Sequence, residues 1–95
     1  MSTKPVPVAL FCLGQIVRTP NALAHLSQED ILTGIQRHQA GDWGDLDDHD
    51  RQVNDRALVD GDRLVSVYHS TGGVKFYIIT EWDRSVSTVL LPKDY

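Results

Sequence analysis

The chain has little of several features on which particular structures depend. It holds a single cysteine among 95 residues, so no internal disulfide can form, and this fits a reducing compartment. Its longest apolar run is far shorter than the ~18 residues typical of a membrane-spanning helix, and no signal-like hydrophobic region follows Met1–Lys4. We therefore expect a cytoplasmic protein that does not bind membranes. Because Cys12 lies in the apolar run Val8–Leu13, we expect its thiol to be buried.

The motifs of familiar catalytic and cofactor sites are also missing. The sequence contains no nucleophile elbow, phosphate-binding loop, dinucleotide fingerprint or zinc-ligand frame. Asp47–Asp50 would spread its side chains around a helix axis, and Asp60–Asp62 lacks the terminal glutamate of a calcium-binding loop. His38 lies four residues before Asp42, but its position on the apolar side of a predicted helix favours a packed histidine bonded to backbone. We expect no metal, no cofactor and a function without catalysis.

Length and composition indicate one globular domain, residues 1–95. A chain of this size buries roughly 60–65% of its unfolded surface, and 41% apolar with 23% charged residues is ordinary for a folded domain. There is no internal repeat and no low-complexity segment.

Capping residues predict where three helices begin. Thr19 precedes Pro20, Ser27 opens a sequence that resembles a capping box, and Asp47 is followed by further acids that suit a helix N-terminus. Gly34 should cost about 1 kcal/mol inside a helix, and we interpret it as merely tolerated rather than as a point of close approach. The predicted helices cover residues 20–26, 27–40 and a third segment that starts at 47, after a loop at 41–46.

Strand-like composition marks four further segments. Val6–Val17 is rich in β-formers, and Leu64–Tyr68, Val74–Glu81 and Val86–Leu91 are joined by turns short enough for hairpins. Both faces of the last three segments carry apolar residues, so we expect at least the central strand, Val74–Glu81, to be covered on both sides, by the second and third helices or by a second copy. The predicted fold is α+β: an antiparallel sheet of three to four strands with two or three helices packed on it.

What the chain does have is a concentration of acidic residues at positions 42–62, which we call the acidic block. Eight of the thirteen acidic residues lie there, and the charge is +1 before the block, −6 within it and +1 after it, which together give the net −4. Such an asymmetry indicates a recognition surface rather than a reaction. Trp43, between two glycines, either folds back over the core, which we favour, or stands out as an interface anchor.

Three runs of sequence carry a resemblance to a known group of proteins. Leu13–Leu23, Arg37–Asn54 with its aspartates, and Ile78–Tyr95 with its closing Leu-Leu-Pro-x-x-Tyr resemble a family of small bacterial proteins found on plasmids, integrative elements and prophages. Some members carry the label of a restriction–modification subunit, but this chain lacks the glycine-rich cofactor loop and the length of a methyltransferase. Where the family has Thr-Glu-Ala-Asp-Arg, this chain has Trp82.

A mobile-element setting suggests, first, a binding protein. Aspartates along a loop and a helix can imitate phosphates, as in anti-restriction and anti-CRISPR proteins, and would be steered toward a nucleic-acid-binding host or defence protein. We expect a protein partner and no direct binding to nucleic acid, and the sequence leaves a homodimer open. The alternative is that the aspartates only cap helices and turns. The candidate binding residues are Asp42, Trp43, Asp45, Asp48, His49, Arg51 and Asp55.

The second hypothesis is a small ribonuclease resembling toxins built on an antiparallel sheet. Glu81 or His69 would act as general base, and Arg84 would stabilise the charge on the phosphorane. Against it, the last third of the chain has few cations for a positive groove. The candidate catalytic residues, expected to converge on one rim of the sheet, are Tyr68, His69, Glu81, Arg84 and Thr88.

Overall fold

The computed structural model describes residues 9–95. The elements in chain order are β1 (Gln15–Arg18), α1 (Pro20–His25), α2 (Gln28–Gln39), α3 (Asp48–Asp60), β2 (Leu64–His69), β3 (Lys75–Thr80), β4 (Val86–Leu90) and a single 3₁₀ turn (Pro92–Asp94). The strands form one sheet in the order β1-β4-β3-β2. The α+β fold is confirmed. The sheet is mixed, however, because β1 runs parallel to β4 while the other two pairings are antiparallel.

All three helices begin at the capping residues that the sequence indicates. Thr19, Ser27 and Asp47 each accept a hydrogen bond from the backbone N–H three residues later, at 3.1, 3.0 and 2.8 Å. A cap of this kind contributes about 1 kcal/mol. The local sequence therefore determines where these helices begin.

The N-terminal strand is much shorter than predicted. Of the predicted Val6–Val17, residues 6–8 lie outside the described part of the chain, and strand pairing begins only at Gln15. The preceding backbone is engaged elsewhere: the N–H of Leu10 donates to Gln39, and the carbonyl of Leu13 accepts the hydroxyl of Ser87. Cys12 is exposed, so the expectation of a buried thiol was wrong.

One face of the sheet, which we call the helix face, carries the main core. Ala22 of α1, Leu26 just after that helix, and Ile31 and Ile35 of α2 pack against the strands. Their partners there are Tyr68, Phe76, Ile78 and Val89. Gly34 lies directly over this contact, because a Cβ there would come within 3.0 Å of Phe76 and 3.1 Å of Ile78. The glycine thus permits close approach of α2 to β3, contrary to our interpretation of it as merely tolerated.

The opposite face of the sheet, the open face, is not covered by any helix of the described chain. Both buried clusters use side chains of the helix face, including Leu64, which packs with Trp43 and Ala57. On the open face the described chain contributes the 3₁₀ turn beside β3 and the ring of Tyr95, 5.9 Å from that of Tyr77. The apolar character of both faces is as predicted, but the helices cover only one of them.

Candidate functional site

The acidic block forms a loop followed by α3, and its tryptophan points inward. Trp43 is 3% exposed and packs against the rings of Phe11 and His38, at centroid distances of 6.3 and 5.6 Å. Its indole N–H donates to Asp55 at 3.0 Å. Trp43 therefore folds back over the core, as we favoured, and it cannot itself contact a partner as the candidate binding set required.

The loop and α3 together close the free edge of β2. The carbonyl of Trp43 and the N–H of Asp45 bond the backbone of Val67, at 3.0 and 2.8 Å. Two residues away along β2, the side-chain amide of Asn54 donates to the carbonyl of Val65 at 2.6 Å and accepts from its N–H at 3.2 Å. Unpaired strand edges invite pairing with other chains. The acidic block thus protects this edge.

Asp42 and Asp45 are both paired with cationic or ionisable side chains. Arg37 donates to both oxygens of Asp42, at 2.7 and 3.2 Å, and this hydrogen bond holds the pKa of Asp42 below its usual value. Asp45 lies 2.5 Å from Nδ1 of His69. These two carboxylates secure the loop to α2 and β2, so less of their charge is available to a partner.

Arg51, another candidate binding residue, is also engaged within the molecule. Its guanidinium donates to the carbonyls of Leu46 and Gly44, at 3.0 and 3.1 Å. Together with the cap at Asp47, this fixes the first turn of α3 to the loop. Arg51 and Asp47 therefore hold α3 in place.

The outer side of α3 carries the acids that remain. Within residues 9–95, the carboxylates of Asp48, Asp50, Asp60 and Asp62 make no hydrogen bond or ion pair; Asp55 makes only the bond to Trp43. Val53 and Val59 stand among them, 53% and 85% exposed. An open groove of about 810 Å³ follows this side of the helix. We call this surface, with His49 and Arg56, the outer α3 face.

The five candidate ribonuclease residues do not form one site. Tyr68 is buried on the helix face, its hydroxyl donates to the carbonyl of Asp42 at 2.6 Å, and burial raises its pKa. Thr88 lies in register with Ile79 on the open face. His69 pairs with Lys75 at one end of β3, whereas Glu81 follows the other end, about 20 Å away at ~3.3 Å per residue. The expectation that these five residues converge on one rim of the sheet was therefore wrong.

Arg84 and Glu81 also have structural partners. Arg84 donates to the carbonyls of Asp62 and Ala57, at 2.6 and 3.2 Å, and so joins the end of α3 to the turn between β3 and β4. Glu81 pairs with Arg63 at 3.3 Å. Both terminal nitrogens of the Arg84 guanidinium are therefore already engaged with backbone carbonyls of the fold.

Sequence reasoning missed a buried polar chain around His38. Its Nδ1 lies 2.5 Å from the hydroxyl of Ser66 and its Nε2 lies 2.9 Å from that of Thr80. The Thr80 hydroxyl lies 2.7 Å from that of Ser87, which donates to the carbonyl of Leu13 at 2.7 Å. The expectation that His38 bonds to backbone was wrong, because its partners are two hydroxyls from neighbouring strands.

The donor in each hydrogen bond around His38 can be assigned by starting from Ser87, the residue that bonds the carbonyl of Leu13. Ser87 has one hydroxyl proton, which goes to a carbonyl, so Ser87 must accept from Thr80. Thr80 must then accept from Nε2–H of His38, and Nδ1 accepts from Ser66. His38 is neutral, and burial, together with the charge of Arg84, lowers its pKa to about 3.

This chain of hydrogen bonds around His38 is structural rather than catalytic. A serine beside a histidine can form a nucleophile and base, but Ser66 and His38 are both fully buried, so no substrate can reach them. A sequence signal existed: three hydroxyl residues and a histidine occupy positions where the strand and helix periodicities predict apolar side chains.

The described part of the chain shows neither a metal cluster nor a membrane span. No group of three or more histidine, cysteine, aspartate or glutamate side chains within residues 9–95 is placed to hold an ion. None of the described helices has the length and apolar character to cross a bilayer. No protein-family model matches the chain, and no curated protein or solved structure is similar to it at a significant level.

Proposed function

We propose that this protein is a non-enzymatic accessory protein of mobile genetic elements that binds a basic surface of another protein through the outer α3 face. The observation that carries the proposal is the division of the acidic block. Some of its acidic residues cap a helix or pair with a cationic or ionisable side chain. Asp55 accepts a hydrogen bond from Trp43, whereas the carboxylates of Asp48, Asp50, Asp60 and Asp62 make no hydrogen bond or ion pair within residues 9–95.

The spacing of these acids suits a surface that normally binds phosphates. At 1.5 Å per residue, Asp48 and Asp55 lie about 10 Å apart along the helix and Asp60 lies about 18 Å from Asp48. Cationic grooves of nucleic-acid-binding proteins attract such a row of charges over several ångströms, which speeds association. The partner class is therefore a cytoplasmic nucleic-acid-binding protein, from the host or from a defence system, as in anti-restriction or anti-CRISPR inhibition.

The anchoring of α3 supports the same proposal. Asn54 ties the middle of the helix to β2, Arg51 ties its start to the loop, and Arg84 holds its end. A surface that is already rigid loses little conformational entropy on binding. The exposed Val53 and Val59 add apolar contact area between the charges, which favours a protein partner over a purely electrostatic one.

The test compares two matched charge reversals. Asp48→Lys and Glu29→Lys each reverse an exposed acid in the first turn of a helix, so their cost to folding should be similar, within about 1 kcal/mol. Affinity capture from host cells, followed by mass spectrometry, should recover a partner with wild type and with Glu29→Lys. Asp48→Lys combined with Asp60→Lys should lose it. Added double-stranded DNA should also release the captured protein.

Two results would overturn the proposal. One is a partner retained by the Asp48→Lys, Asp60→Lys variant, because the outer α3 face would then not be the binding surface. The other is cleavage of total RNA by the pure protein that is abolished by Glu81→Ala with Arg84→Ala, because the ribonuclease hypothesis would then apply. Asp45 and Asp55 are left unchanged, since both have partners within the fold.

A further inference from the structure

The turn between β3 and β4 presents a large aromatic side chain to solvent. Trp82 is 67% exposed, whereas the other tryptophan, Trp43, is 3% exposed. Within residues 9–95 only the indole N–H of Trp43 forms a hydrogen bond, so that of Trp82 is available to a partner. Tryptophan contributes more to binding interfaces than most residue types, because its ring is large and rigid and also has a donor.

The backbone of this turn is strained and is held in one conformation. Arg84 has φ 59°, the only positive value of a non-glycine residue within residues 9–95, and such strain persists only where the surroundings over-determine it. The Arg84 guanidinium donates to the carbonyls of Glu81 and Trp82, at 3.1 and 3.3 Å. The carboxylate of Asp83 accepts from the N–H and hydroxyl of Ser85, at 3.1 and 2.6 Å. The backbone that carries the Trp82 ring therefore loses little conformational entropy on binding.

This turn is joined to the end of the outer α3 face. The Nη1 atom of Arg84 that bonds the carbonyl of Trp82 also donates to the carbonyl of Asp62, at 2.6 Å. A second link is the ion pair of Arg63 with Glu81, at 3.3 Å. The row of acidic residues along α3 therefore ends beside the turn that displays the exposed ring.

Carboxylates beside an exposed ring are complementary to one class of nucleic-acid-binding surface. A DNA duplex presents phosphates at its surface and keeps the faces of its bases stacked inside, so a groove that binds duplexes needs cations but no stacking site. Proteins that bind single strands combine cations along the backbone with aromatic side chains on which the bases stack. On such a surface, Asp60 and Asp62 can take the place of phosphates and the indole of Trp82 that of a base.

We infer that the partner of the outer α3 face is a protein that binds single-stranded nucleic acid, and that Trp82 stacks in its base-binding site. This inference rests on the proposed function and narrows its partner class. Because one stacked base strengthens binding by roughly tenfold or more, the loss of the Trp82 ring should weaken the complex by about that factor.

The probe is a pool of host-cell proteins retained on single-stranded DNA–cellulose, and proteins retained only on double-stranded DNA–cellulose form the comparison pool. Immobilised wild-type protein should capture a partner from the first pool, and surface plasmon resonance with the purified partner then gives affinities. Trp82→Phe, which keeps an aromatic ring, should retain binding, whereas Trp82→Leu and Trp82→Ala should weaken it about tenfold. Leu23→Ala, which truncates a 60% exposed side chain of α1, should leave it unchanged.

Two controls accompany these variants. Thermal melts should give all four substituted proteins a melting temperature close to that of wild type, because both positions are exposed. Single-stranded DNA should release the partner at a phosphate concentration about tenfold below that at which duplex DNA does, because only the single strand can also occupy the stacking site.

Three results would overturn this inference and leave the proposed function in place. One is binding that Asp48→Lys with Asp60→Lys abolishes but Trp82→Ala does not change. Another is equal affinity of Trp82→Leu and Trp82→Phe, because the ring would then be only an apolar contact. The third is a partner captured only from the duplex pool. If wild type captures nothing from either pool, or if the Asp48→Lys, Asp60→Lys variant binds as wild type does, the proposed function and the inference both fail.

Discussion

Acidification from pH 7 to pH 5 should destabilise this protein through His38. The pKa of His38 is about 3 in the folded chain and about 6.5 in an unfolded one. As the pH falls below 6.5, His38 is protonated in the unfolded state but stays neutral in the folded state. The free energy of unfolding therefore falls, by up to about 1.4 kcal/mol per pH unit, until the pH reaches the pKa of His38 in the folded state. Between pH 7 and pH 5 the expected loss is about 2 kcal/mol.

The structure explains why the folded state refuses the proton. His38 is fully buried among aromatic rings, with Phe11 at 5.2 Å and Trp43 at 5.6 Å. A second ring proton would have to point at Ser66, whose own hydroxyl proton already points at that nitrogen. The lowered pKa values of Asp42 and Asp94 also remove stability on acidification. Because unfolded aspartate titrates near 3.9, they act mainly below pH 5.

Urea unfolding followed by tryptophan fluorescence measures the loss directly, with the protein at a fixed concentration, because the buried Trp43 becomes exposed on unfolding whereas Trp82 is already exposed in the folded chain. His38→Gln should lower stability at pH 7 and flatten the dependence between pH 5 and pH 7, whereas His49→Gln, on the outer surface, should keep the wild-type slope. If His38→Gln does not fold, nuclear magnetic resonance of wild type should show the His38 ring still neutral at pH 5. Equal stability of wild type at the two pH values would refute the reasoning.

Two further predictions concern the protected edge of β2. Gly44 and Gly61 both have positive φ, at 79° and 76°, and alanine in that conformation costs about 1–2 kcal/mol. A Cβ at Gly44 would lie 1.9 Å from the carbonyl of Val67, whereas nothing lies within 4 Å at Gly61. Gly44→Ala should therefore lose well over 3 kcal/mol or fail to fold, while Gly61→Ala loses about 1, and equal losses in thermal melts would contradict this difference. Asn54→Ala should cost about 2–3 kcal/mol, because it leaves the N–H and C=O of Val65 without partners, and light scattering should detect aggregation that Gln52→Ala does not cause.

Local signals were sufficient for much of the fold. A cap acts within one turn, so Ser27 and Asp47 could indicate their helices from sequence alone. Alternation and short turns predicted β2, β3 and β4 in the same way. β1 could not be delimited by these rules, because its partner β4 lies some seventy residues later and the residues before Gln15 look equally strand-like.

The roles of the acidic residues could likewise be predicted only where the partner is close in sequence. Asp47 was identifiable as a cap from its neighbours in sequence. Asp42 and Asp55 were not, because their partners Arg37 and Trp43 are brought to them only by the turn of the loop. The His38 chain was missed because its hydroxyls come from three different strands, and periodicity treats each of them as an ordinary strand residue.

The hydrogen bonds between Asn54 and β2 constrain one side of α3 more than the other. The side of α3 that faces the sheet has to keep the Asn54 amide in register with Val65. On the side that faces solvent, the only side-chain hydrogen bond within residues 9–95 is that of Asp55 with Trp43. Substitutions can therefore accumulate on the outer side without loss of folding, as they do on the loops of an antibody framework. In an engineered version, new recognition sequences could be written at Asp48, Gln52, Val53, Arg56 and Val59 while Asn54 and Ala57 are kept.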